Sequence, residues 1–161
     1  MISNIKNRFV LIFSFLSLCV MGFIFYNSLQ GSVASNAIST QISEEIQTVV
    51  DPNQKMKSWF FHIIIRKLAH GVEFCALGVS LGALMYSIQR AEQKKCRIFM
   101  ILFLSLAIAV TDEYIQSFTG RTSMVEDIII DFSGAICGII LVSLALIIIN
   151  KIQRHITRKK G

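Results

Sequence analysis

The sequence predicts an all-α integral membrane protein with four transmembrane helices in one bundle, and three observations carry that expectation. Mean hydropathy is +0.61 with only 16% charged residues and one proline in 161, too apolar for a water-soluble domain of this size. Four strongly apolar segments of near-spanning length recur along the chain. The basic residues gather beside the ends of those segments without aromatic interleaving or a binding motif, so membrane topology accounts for the net charge of +6 and nucleic acid does not.

The first helix, about 9–26, rests on the apolar run of 17 from Phe9 to Phe25, which follows Lys6 and Arg8. Ser32 and Ala34 would suit a signal-peptide cleavage site, but the run exceeds the usual apolar core of about 7–15 residues, so a retained helix is expected. Between Asn27 and Pro52 the chain is polar, yet Ile38, Ile42, Ile46 and Val49 recur at helical spacing with Glu44, Glu45 and Gln47 off that stripe. Two readings stay open there: a short amphipathic helix lying on the membrane surface in the first outer loop, or a loop helix packed on the bundle. Trp59, Phe60, Phe61 and His62 then suit the headgroup region.

The second helix, 63–88, is interrupted by Arg66, Lys67, His70 and Glu73, and a loop with Arg90, Lys94, Lys95 and Arg97 follows it. Ile98 to Val110 supplies only 13 apolar residues, too few to span, so the third helix, 98–118, must take in Asp112, Glu113 and Gln116. A tight turn comes next at Thr119, Gly120 and Arg121. Ser123 and Glu126 have the spacing of a capping box opening the fourth helix, 125–150, which ends in the basic tail of Lys151, Arg154, Arg158, Lys159 and Lys160. Eleven of the sixteen Lys and Arg residues fall in the N-terminus, the second loop and the tail, so both termini are expected on the cytoplasmic side. One unit spanning 1–161 is expected, without repeats. Cys19, Cys75, Cys96 and Cys137 show no metal-ligand spacing and read as small packing residues.

The sharpest signal is polar. At the helix centre an Asp raises the insertion free energy by roughly 2.5–3.5 kcal/mol, so Asp112 and Asp131 should face a partner or a water-filled cavity. Arg66, His70 and Glu73 share one stripe of the second helix, Asp112 and Gln116 share a face with Ser105 and Ala109, and Ser123, Asp127, Asp131, Gly134 and Gly138 share another. At about 1.5 Å per residue these groups reach one depth near the outer surface. Gly71, Cys75, Gly78 and Gly82 make a small-residue stripe, and Gly134 with Gly138 a small-xxx-small pair, which allows close helix approach in lipid. Below that depth only scattered Ser and Gly occur, so no path for a channel or transporter is visible.

The segments RKLAHGVEFCALG at 66–78 and TDEYIQSFTGRTSMVEDIIIDFSGAICG at 111–138 resemble the two motif blocks of the VanZ-like family. The matching positions are Lys67, His70, Glu73, Leu77 and Gly78, then Asp112, Glu113, Gln116, Gly120, Arg121, Asp127, Gly134 and Gly138. Phe74 stands where Tyr is common, Gly71 where Phe is frequent, Thr119 where Pro often precedes Gly-Arg, and Asp131 where Asn is usual. The resemblance implies a protein of the bacterial cytoplasmic membrane associated with low-level resistance to teicoplanin-type glycopeptides, and it supplies no reaction.

Three readings of the polar residues remain open. In an enzyme acting on a lipid-linked or anionic cell-wall substrate, His70, Glu73, Asp112, Glu113 and Asp127 are the catalytic candidates. Arg66, Lys67, Gln116, Arg121 and Asp131 would then bind substrate, and the carboxylates could hold a divalent cation. A binder of a lipid-linked precursor or glycopeptide would use the same groups without turnover. Interhelical glue is the third reading, with polar contacts in membranes averaging only about 0.6 kcal/mol. Because Asn is usual at position 131, Asp131→Asn is expected to preserve both abundance and resistance.

Overall fold

The computed structural model describes residues 2–30, 32–51, 56–92, 98–120 and 124–160. Five helices follow one another: α1 (Ile2–Leu29), α2 (Ser32–Val50), α3 (Ser58–Glu92), α4 (Ile98–Phe118) and α5 (Val125–Lys160). Four of them, α1, α3, α4 and α5, are long and apolar enough to cross a membrane. Large apolar side chains cover their outer faces, among them Phe15, Phe23, Val72, Phe103 and Leu144. On a small water-soluble domain so much exposed hydrocarbon would be a liability, whereas in a bilayer it is the lipid-facing surface.

Three helices outrun the apolar stretches that announce them. α1 begins at Ile2, α3 begins at Ser58, and α5 continues to Lys160, whereas α4 keeps its expected bounds. No proline interrupts these extensions, and basic side chains near a helix C-terminus favour its dipole, so the tail of α5 continues as helix. At about 1.5 Å per residue, the 34-residue and 33-residue spans of α3 and α5 exceed a hydrocarbon core of about 30 Å, so they tilt or protrude. The aromatic cluster thereby forms the first turns of α3: Trp59 is exposed and meets Phe60 edge-on at 5.8 Å, while Phe61 is buried.

α3 is the central helix, touching α1, α2, α4 and α5. Against α5 it packs in parallel at near-backbone distance. A Cβ added at Gly78 would run into the Ala135 carbonyl, one at Gly134 into the Gly71 carbonyl, and one at Gly138 into the Cys75 carbonyl. The small-residue stripe thus sets the α3–α5 spacing, as contact in lipid requires. Phe74, Leu77 and Leu81 of α3 join Ile24, Ile101, Ile108, Ala109, Ala135 and Ile139 in the apolar core.

α2 packs against α3. Among its described side chains Ser43 and Gln47 are buried, with Gln47 Nε2 donating to the Met56 carbonyl at 2.9 Å, while Ile42, Ile46 and Val49 point outward. Over residues 40–50 the helix turns polar side chains to the protein and apolar ones outward, the pattern of an amphipathic helix.

Candidate functional site

The polar groups of four helices meet at the end of the bundle where α1 finishes and α5 begins. Two members come from α1, in residues the sequence reading assigned to a loop. Asn27 Nδ2 donates to Glu73 Oε1 at 2.9 Å, and the fully buried Ser28 hydroxyl donates to Asp112 Oδ1. Their depth could have signalled this, since both lie within a turn of the apolar run and level with the acids of the other helices.

α4 buries the face its spacing marked: Ser105, Ala109, Asp112 and Gln116 are all inside. Gln116 Nε2 donates to Asp112 Oδ2 at 2.8 Å and lies 3.4 Å from the Ser28 hydroxyl, so both Asp112 oxygens receive a hydrogen bond. One turn on, the Thr119 hydroxyl donates to the Gln116 carbonyl at 2.9 Å, and Gly120 reverses the chain with φ 73°, a backbone that glycine adopts without strain. Glu113 faces α5, where its Oε2 accepts from the Met124 amide at 3.1 Å beside the first turn of that helix.

From α3, Lys67 reaches α5, with Nζ 3.1 Å from Glu126 Oε2 and 3.4 Å from Asp127 Oδ1. Glu126 accepts a hydrogen bond from this lysine, and its expected capping box with Ser123 involves a residue outside the described ones. Ser123 and Arg121 lie outside the described residues, so the expected Arg121–Asp127 pair and the reach of Arg121 over the cluster do too. Arg66 is half-buried beside Lys67 and forms no ion pair among the described residues.

Deeper in, a turn below Lys67 and Asp127, one ligand-type atom each of His70, Asp112 and Asp131 lie within 4.8 Å of one another. Asp112 is fully buried and Asp131 is 1% exposed. Neither Asp131 carboxylate oxygen has a hydrogen-bond partner among the described residues, in contrast to the doubly bonded Asp112. The cluster therefore has a close-packed floor of Ser28, Asp112, Gln116 and Asp131 and a half-buried rim of Arg66, Lys67, His70 and Glu73.

A family model described as VanZ/LLP1 matches residues 13–148. The chain belongs to the VanZ-like family. Neither a curated protein nor a solved structure matches it significantly. The polar VanZ-like motif positions among the described residues gather at the cluster: Lys67, His70 and Glu73 lie along α3, Asp112 and Gln116 cross to α1, and Glu113 and Asp127 stand at the start of α5.

The rest of the bundle offers no comparable chemistry among the described residues. The hydroxyls of Ser17, Ser80, Ser87, Ser105 and Ser143 each donate to a carbonyl three or four residues back on their own helix. They are satisfied where they stand and line no polar path through the bundle. What remains chemically is an imidazole beside carboxylates, an arrangement that can hold a cation, orient a polar ligand or exchange a proton.

Proposed function

We propose that this VanZ-like membrane protein lowers susceptibility to teicoplanin-type glycopeptides, using the polar cluster at the extracytoplasmic face of the bacterial cytoplasmic membrane to hold a cell-envelope ligand. The observation that carries the reading is Asp131. Hydrogen bonds between helices account for Asp112, Gln116 and one oxygen of Glu73, so bundle cohesion explains those groups. It leaves a buried carboxylate on α5 unused, and buried polar capacity that cohesion does not employ marks a place for a ligand. Lys67 and Arg66 at the rim supply charge for a phosphate or carboxylate on a lipid-linked precursor or on the glycopeptide, and Arg121, outside the described residues, is the further candidate from the sequence.

The decisive experiment makes single alanine replacements at His70, Glu73, Asp112 and Arg121 and scores each for membrane abundance and teicoplanin susceptibility. Susceptibility should rise at unchanged abundance for at least His70 and Arg121. Susceptibility that simply follows abundance in every variant would leave interhelical cohesion as the whole role of the cluster.

A second reading, a membrane hydrolase or transferase acting on a lipid-linked substrate, draws support from His70 standing beside two carboxylates. Purified protein incubated with lipid-linked cell-wall precursors separates the two. Turnover abolished by His70→Ala supports catalysis, and unchanged substrate supports binding alone.

A further inference from the structure

We propose that His70, Asp112 and Asp131 form a binding site for one divalent transition ion, Zn²⁺ or Mn²⁺. The three residues come from three helices, α3, α4 and α5, and each brings a ligand-type atom to within 4.8 Å of the other two. Adjacent ligands around an ion bound at about 2.0–2.2 Å stand about 3–3.5 Å apart, so modest rotation of these side chains closes the set onto one ion. One imidazole nitrogen with two carboxylate oxygens is a mixed N/O donor set, which suits Zn²⁺ and Mn²⁺ better than the all-oxygen preference of Mg²⁺ and Ca²⁺. Three protein ligands also leave a position open on a four-coordinate ion.

Two features distinguish this cluster from a chance grouping of acids. Asp131 is 1% exposed, points into the cluster, and has no hydrogen-bond partner for either oxygen among the described residues, a condition that an ion relieves. Asp112 is held as metal-binding carboxylates usually are. Ser28 and Gln116 each donate to one of its oxygens, fixing its orientation while leaving lone pairs available. Lys67, the nearest lysine on α3, is engaged with Glu126 and Asp127 one turn above, so it does not serve Asp131. Burial is compatible with a small ion at this floor as well: Ser28, Asp112, Gln116 and Asp131 are each at most 2% exposed.

The site shares Asp131 with the resistance reading without resting on it, and because ion binding is measured on purified protein and resistance in cells, the two can fail separately. Full-length protein in lipid nanodiscs is stripped with chelator, reloaded separately with Zn²⁺, Mn²⁺ or Mg²⁺, and assayed for bound metal by mass spectrometry, with Mn²⁺ binding followed by electron paramagnetic resonance. About one Zn²⁺ or Mn²⁺ per chain is expected, with affinity reduced roughly tenfold or more in His70→Gln and Asp131→Asn. Glu126→Gln, which removes an exposed acid at the same end of the bundle, should bind as wild type. Size-exclusion profiles and melting in detergent identify any variant that fails to fold, and Asp131→Asn, nearly isosteric, keeps the test informative if His70→Gln does. No stoichiometric Zn²⁺ or Mn²⁺, binding unchanged in Asp131→Asn, or a preference for Mg²⁺ that ignores His70→Gln would each overturn the proposal.

Discussion

Asp112 is a carboxylate at a depth where hydrocarbon is expected, and its tolerance is local. Donors from two helices reach its two oxygens, Ser28 from α1 and Gln116 from its own turn of α4. Ser28→Ala removes a donor to Asp112 that comes from α1, so it should lower stability by roughly 0.6–1.7 kcal/mol, the span measured for interhelical hydrogen bonds in membranes. Denaturant titration of the reconstituted protein checks this, and a variant as stable as wild type would mean that Ser28 does not hold α1 to α4. Asp131 shows the complementary case. An amide fills the same space and keeps buried hydrogen-bonding capacity for a polar ligand, so Asp131→Asn should keep abundance and resistance even as ion affinity falls. Strong loss of resistance at normal abundance would instead make the bound ion part of the resistance itself.

Among the helices, the α3–α5 pair is the most tightly constrained. Its spacing depends on glycines facing carbonyls, and a carbonyl on a helix backbone cannot step aside as a side chain can. Gly138→Ala should therefore destabilise by about 1–3 kcal/mol, the usual range for overpacking, and lower membrane abundance. Gly22 on α1 is the natural control, since nothing lies within 4 Å of a Cβ built there, and Gly22→Ala should be neutral or slightly stabilising. Equal melting temperatures for the two variants in detergent would show that α3 and α5 do not need this approach. The same pair carries His70 and Asp131, so helix spacing and site geometry are set by one stripe of small residues.

At the scale of the whole molecule, four crossings put the two ends of the chain on one side and the α1–α3 and α4–α5 connections, with the polar cluster, on the other. The distribution of Lys and Arg predicts that the ends face the cytoplasm. Reporter fusions after Gln93 and after Thr119 should accordingly report opposite sides, cytoplasmic for the first and external for the second. The same side for both would break the four-span topology, and reversed sides would move the cluster to the inner face.

The sequence alone determined the four spans, because about 20 apolar residues in lipid have no alternative to a helix that satisfies its own backbone. It also determined that Asp112 and Gln116 share the buried face of α4, and that Asp127 and Asp131 share a face of α5, since helical periodicity depends only on residue spacing. What spacing cannot give is which faces of separate helices meet, for that depends on tilt and side-chain fit between segments distant in the chain. Only the tertiary structure brought Asn27 and Ser28 of α1 to Glu73 and Asp112, gave Lys67 to Glu126 and Asp127, and turned the apolar stripe of α2 outward. It alone placed Asp131 beside His70 without a hydrogen-bond partner among the described residues, because being left unpartnered is a property of the whole packed surroundings and no single helix encodes it.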